Sequence, residues 1–149
     1  RGIHIVLALI VFYFGWRIYR ELREDNCIQA FCKLRRLQEA TYNGYCRCIS
    51  CGALVRWDEC DGGHWLSRRY RGTEIEHDNV WPQCRQCNRH GGQEAHNQYS
   101  IELEKKIGKN RIAVLEAMKV VYIKRDYREL TGRFLVMGKK IRKEKGFEV

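Results

Sequence analysis

The sequence has few of the features that mark linkers, repeats or membrane spans. Its 149 residues include a single proline, Pro82, no low-complexity linker, and no internal repeat beyond one pair of C-x-x-C motifs. A string of modules or a solenoid is therefore excluded, and a single domain is expected. No apolar run reaches the roughly 20 residues that a membrane-spanning helix takes. The longest runs from Ile3 to Trp16, with Arg17 and Arg20 behind it. No A-x-A-like cleavage site follows, which argues against a removed secretory signal. Acidic residues are also scarce: 18 Asp and Glu face 28 Lys and Arg, for a formal net charge of +10. Such a surplus points to a polyanionic partner, nucleic acid first and an acidic membrane surface second.

Cysteine is the residue present in excess, with eight in the chain. Two pairs have C-x-x-C spacing, Cys48/Cys51 and Cys84/Cys87, and each is followed by a residue suited to turns, Gly52 and Asn88. A zinc knuckle needs this arrangement. Two thiolates sit on a backbone curl, and the residue after the second adopts positive φ, which Gly takes freely and Asn tolerates. Two knuckles make a closed set of four thiolates, the signature of a structural zinc in a reducing compartment such as the cytoplasm. Cys46 rivals Cys48 as first ligand but lacks the spacing to Cys51. Cys27, Cys32 and Cys60 read as packed thiols.

The remaining pattern is mixed. Ile28, Phe31, Leu34 and Leu37 recur at helical spacing, so residues 18–38 read as helical, with a break expected near Asp25-Asn26. Leu54 to Trp57 reads as a strand, Asp61-Gly62-Gly63 as a tight turn, and His64 to Leu66 as its return strand. A helix is expected from Asn97 to Ile107, stopped by Gly108, with Asn110 capping another. The tail from Lys124 to Lys145 is basic. The chain opens on Arg1 rather than Met, so it reads as a fragment or trimmed product. Its apolar start reads as a helix packed on the domain or on a second copy, with a membrane anchor as the alternative.

Between the knuckles lie residues that a structural zinc site does not need: Asp61, His64, the basic loop Arg68, Arg69 and Arg71, and Asn79. Phosphodiester hydrolysis needs a base to activate water and a cation to neutralise developing charge. A histidine can be that base, and carboxylate and amide oxygens suit a hard ion such as Mg²⁺. Each residue also has a plainer reading. His64 can be a turn histidine, Asn79 a cap, Asp61 a turn starter, the arginines a solvated face, and Trp57, Trp65 and Trp81 small-core residues.

The strings CRCISCG, DGGHWLSRR and HDNVWPQCRQCN, followed by a helix carrying Tyr99, Leu103 and Gly108, resemble the phage NinG (Rap) recombination endonucleases. More broadly they resemble the zinc-stapled branch of the HNH, or His-Me finger, nucleases, which includes phage recombination endonuclease VII. The resemblance covers about Cys46 to Gly108. It implies an α+β fold: a small ββα-metal core stapled by the four-cysteine zinc site and flanked by N- and C-terminal helices. The corresponding divisions are residues 1–20, 21–45, 46–108 and 109–149. By resemblance His64 is the general base, Asn79 ties the loop to the hairpin, and Asn88 holds a catalytic Mg²⁺ or Mn²⁺. Asp61 is a second candidate ligand, because Gly63 stands where many of these enzymes carry Asp. Gly92-Gln93 stands where Gly-Asn is expected, so His90 or His96 is an alternative to Asn88. Arg68, Arg69 and Arg71 fall where phosphate contacts are expected. The expected activity is cleavage of branched recombination DNA, with a homodimer as one arrangement. The rivals are a zinc-dependent DNA binder without catalysis and a membrane-associated nuclease or toxin.

Overall fold

The computed structural model describes the backbone of residues 2–147 and side chains from residue 5 onward. The side chains that begin the Ile3–Trp16 run, and the last two residues of the chain, lie outside the described residues. The elements in order are α1 (Gly2–Glu39), β1 (Tyr45–Arg47), β2 (Leu54–Arg56), β3 (Asp61–His64), a 3₁₀ turn (His77–Asn79), β4 (Val80–Gln83), α2 (Arg85–His90), α3 (Gly92–Met118) and α4 (Tyr127–Lys145). The fold is mixed α+β, with two separate antiparallel two-stranded sheets, β1–β2 and β3–β4.

Two-stranded sheets need something to pack on, and helices supply it. The expected face of Ile28, Phe31, Leu34 and Leu37 is buried. Ile28, Phe31 and Cys32 pack with Val80 of β4, and Phe134 of α4 closes the cluster. Phe31 and Phe134 have ring centroids 5.1 Å apart. A second cluster joins Ile49 and Trp81 to Tyr99 and Leu103 of α3. A third, of Ala40, Cys46 and Cys60, lies under Trp57 and Phe147. Lys145 of α4 donates to the carbonyls of Leu37, Gln38 and Ala40 at 2.7, 3.0 and 2.5 Å. A cation thus caps the C-terminal end of α1, where the helix leaves carbonyls unpaired.

Three local expectations are corrected. The lead-in does not break at Asp25-Asn26, because α1 is continuous. The segment Asp61-Gly62-Gly63 is not a turn but the start of strand β3, which pairs with β4, Asp61 facing Gln83 and His64 facing Val80; the strand from Leu54 pairs with β1 and not with His64–Leu66. Its glycines serve close approach: a Cβ on Gly62 would lie 2.7 Å from the Cys32 Cβ of α1, and one on Gly63 would meet Gln83. Helix α3 starts at Gly92, not Asn97. At Gly108 the backbone leaves the helical region (φ 78°, ψ 159°), so the first helical segment stops there as expected and a second one, kinked against it, runs on to Met118. The last helix has the caps its sequence allows. The Asp126 carboxylate accepts from the amides of Arg128 and Glu129, and Gly146 closes it in the left-handed region.

Candidate metal centre and active site

The two knuckles meet. The Sγ atoms of Cys48, Cys51, Cys84 and Cys87 all lie within 4.8 Å of one another, and this is the one such His/Cys/Asp/Glu group among the described residues. Cys51 and Cys84 are 3.9 Å apart. Zn–S bonds of about 2.3 Å in a tetrahedron separate the sulfurs by about 3.8 Å. The four cysteines can therefore hold one metal ion, and the thiolate set and spacing fit zinc. In the first knuckle Gly52 has φ 74° and its amide donates to the Cys48 carbonyl at 2.8 Å. The second knuckle is built differently from expectation. Asn88 does not take positive φ, since no described non-glycine residue does. Cys84 instead caps α2, its sulfur accepting from the Cys87 amide at 3.4 Å. The Ile49 amide donates to the Pro82 carbonyl at 3.0 Å, so the knuckles are also joined by backbone. Cys46 stays outside the set, buried, with its thiol donating to the Arg36 carbonyl.

One residue past the second knuckle, Asn88 comes to the edge of β3. Its amide Nδ2 donates to Asp61 Oδ2 at 2.9 Å. Arg89 takes both oxygens of the same carboxylate, each at 2.9 Å. Burial pushes the Asp61 carboxyl up, but Arg89 and Asn88 outweigh it and hold it below the ordinary aspartate value. An open cavity of about 310 Å³ is lined by Asp61, His64, Arg68 and Asn88 on one side and by Cys32 and Arg36 of α1 on the other. His90 and His96 are exposed and do not line it.

His64 ends β3 with Nε2 2.8 Å from the Glu74 carbonyl oxygen. A carbonyl only accepts, so Nε2 carries the proton and Nδ1 is the lone-pair nitrogen of the neutral ring. Burial pushes the imidazole below its ordinary pKa. The Arg68 charge pushes the same way, and the bond to Glu74 opposes both.

Asn79 is fully buried. Its Nδ2 donates to the carbonyls of Leu66 and Thr73 at 3.0 and 2.9 Å, and its Oδ1 accepts from the Leu66 amide at 2.8 Å. It straps the 65–74 loop to the start of β4, and that loop delivers Glu74 to His64. Tyr99 of α3 adds a bond from its hydroxyl to the Gly63 carbonyl at 2.9 Å.

The basic loop does not act as one set. Arg68 lines the cavity, and Arg69 is exposed, its guanidinium near the Ser67 hydroxyl. Arg71 is turned away: it donates to Glu24 of α1 at 2.8 Å and to the Tyr127 hydroxyl of α4 at 3.5 Å.

Three participants were not legible in the sequence. One is Arg89, which occupies Asp61. Another is the wall that α1 contributes. The third is Glu74, whose buried carboxylate accepts from the Tyr127 hydroxyl at 2.6 Å. Burial pushes the Glu74 carboxyl up, partly offset by Tyr127. Only the adjacency of Arg89 to Asn88 hinted at any of these.

Residues 20–144 match the family described as Bacteriophage Lambda NinG protein. The chain belongs to the NinG family. No curated protein and no solved structure matches it. The NinG match takes in both knuckles, the whole cavity and all of α4 but its last residue, and leaves the exposed start of α1 outside.

Proposed function

We propose that this NinG-family chain is a metal-dependent DNA endonuclease of the HNH type, acting on branched recombination intermediates. The observation that carries the reading is the His64–Glu74 bond. It fixes the tautomer in which Nδ1 can accept a proton, on a ring whose basicity is lowered so that the free base prevails near neutral pH. His64 Nδ1 takes a proton from water, and the resulting hydroxide attacks phosphorus. The P–O bond to the 3′ oxygen breaks as the new P–O bond forms. Asn79 and Tyr99 hold the loop and strand that orient His64. Arg68 and Arg69 contact the phosphate backbone, while Arg71 serves structure. A zinc ion on the four cysteines would tie the β1–β2 hairpin, whose connection carries Cys48 and Cys51, to the β4–α2 junction at Cys84 and Cys87, and would take no part in the reaction.

Asp61 and Asn88 are close enough to share one hard cation through their oxygens, once Arg89 releases the carboxylate and the Asn88 amide, whose Nδ2 now faces Asp61, turns its oxygen inward. A Mg²⁺ or Mn²⁺ ion there would neutralise charge on the phosphate and the departing oxygen.

The test is nicking of a branched and a linear DNA of the same sequence, with and without Mg²⁺, by the wild type and by His64→Ala. Cleavage is expected only with the divalent ion and is expected to fall at least about a hundredfold in the variant. Undiminished cleavage by His64→Ala removes the assignment.

One observation favours a second reading, a zinc-dependent DNA-binding module without catalysis: Arg89 already saturates Asp61. In that case DNA is bound with a steep salt dependence and left intact whether or not Mg²⁺ is present.

A further inference from the structure

The first half of α1 has no partner among the described residues. Burial on this helix begins in earnest only at Cys27 and Ile28, and the NinG match begins at residue 20. Before that point the side chains are exposed on every side. Six consecutive residues, Leu9 to Phe14, are 45 to 74% exposed. Steps of about 100° carry them all round the helix. A helix that docks on one neighbour, or pairs with a second copy, needs an apolar stripe and keeps a polar face to water. This one has no polar face to keep. A helix apolar all round calls for an apolar medium all round.

Its composition is also ordered along the axis. The aliphatic stretch from Ile5 gives way to exposed aromatic residues from Phe12 to Tyr19, with Arg17, paired to Glu21, among them, and then to Arg20 and Arg23. The Arg20 guanidinium lies over the Trp16 ring at 5.6 Å, and Arg23 lies over Tyr19 at 4.4 Å. Aliphatic, then aromatic, then cationic is the sequence met on leaving a bilayer: hydrocarbon, interface, headgroups.

A second feature lies at the same level. A cleft of about 390 Å³ between α1 and the start of α4 is lined by Trp16, Tyr19, Arg20 and Arg23 on one side and by Lys124 and Arg128 on the other. Asp126 is its one carboxylate, and it is occupied in capping α4. Arg125 also lines the cleft but is paired with Glu74; the other four cations, beneath an aromatic collar, suit a phosphate-bearing headgroup.

We propose that the Ile5–Trp16 stretch inserts into an anionic lipid bilayer and that the Arg20/Arg23/Lys124/Arg128 cleft holds a lipid phosphate, so that the domain sits on a membrane surface. Insertion does not require crossing. Ile5 to Phe14 extends about 15 Å, half of a hydrocarbon core of about 30 Å. That accords with no described helix being long and apolar enough to cross a membrane.

The experiment is co-flotation of the full chain, zinc-loaded, with vesicles of phosphatidylcholine alone or with added phosphatidylglycerol. The protein's net charge of +10 would by itself draw it to anionic vesicles, so flotation is repeated at about 0.5 M salt, where the screening length is only a few ångström. The wild type is expected to float with anionic vesicles and to stay bound in high salt. The exposed double variant Ile10→Glu/Phe14→Glu is expected to lose at least about tenfold in high-salt binding while keeping its zinc. Arg20→Ala/Arg23→Ala is expected to lose the preference for phosphatidylglycerol. Three outcomes overturn the proposal. One is no flotation of the wild type, and another is equal flotation of the Ile10/Phe14 variant, which means charge attraction alone. The third is a dimer by light scattering that the Ile10/Phe14 variant abolishes, without flotation, which assigns the stretch to a second copy.

Discussion

The Nε2–H of His64 is held by the backbone carbonyl of Glu74, 2.8 Å away and ten residues on in the chain. The contact gives the imidazole one definite tautomer, and it makes the loop between the two residues part of the site.

Because burial and Arg68 lower the His64 pKa, its free base persists to lower pH than that of an ordinary histidine. The acid limb of cleavage is therefore expected to be centred below the ordinary histidine pKa of about 6.5, read from the pH profile of single-turnover nicking. The linkage has a definite sign. The folded-state pKa lies below the unfolded one, so the folded state binds fewer protons between them. The contribution of His64 to stability is complete above the unfolded pKa and is lost as pH falls through the folded one. NMR titration of the ring checks the same shift directly, and a pKa above the ordinary value would contradict it.

Removal of the metal is expected to unfold the site and not merely to inactivate it. The unfolded chain has no preformed tetrahedron, so binding free energy is folding free energy. Elemental analysis should find one zinc per chain. Chelation or Cys84→Ser should lower the melting temperature and collapse the β3–β4 amide protection seen by hydrogen exchange.

Tyr127→Phe removes the hydroxyl that donates to buried Glu74. A buried acceptor left without its donor costs about 1–3 kcal/mol, which chemical denaturation should register. Arg125 lies 3.5 Å from the same carboxylate oxygen and retains part of the compensation. Nicking should fall with the His64 tautomer disturbed, visible in the ring ¹⁵N shifts, while zinc content stays at one.

Gly62→Ala places a methyl 2.7 Å from the Cys32 Cβ and 2.9 Å from its Cα. Backbone lies behind that contact, so relief requires α1 and β3 to move apart. A loss of about 1–3 kcal/mol is expected. Gly132→Ala in α4 meets nothing within 4 Å and should be neutral or stabilising. Equal thermal shifts in the two variants would show that the α1–β3 approach is not tight.

DNA binding by Arg68 and Arg69 is expected to weaken with salt, each substitution to Ala reducing the slope of log affinity against log salt by about one. Arg71→Ala should leave the slope unchanged and lower stability instead, because its partners are Glu24 and Tyr127. Titration at several salt concentrations, beside a thermal melt, separates the two roles.

By itself the sequence determined the metal frame and the buried face of α1. Knuckle spacing is a local property: two residues between thiolates and a glycine behind them set the curl wherever the segment lies. The repeat of Ile28, Phe31, Leu34 and Leu37 is local in the same way. Tertiary structure decided what long-range packing controls. Asp61-Gly62-Gly63 has the composition of a turn, yet it is a strand, because α1 crosses it closely enough that only glycine fits. Asn88 has the φ tolerance of a knuckle end, yet it lies in α2, because Cys84 caps that helix. The partners of His64 and Asp61 are Glu74 and Arg89, 10 and 28 residues away. No periodicity encodes those contacts, because they exist only once the four-cysteine centre and α1 have brought the segments together.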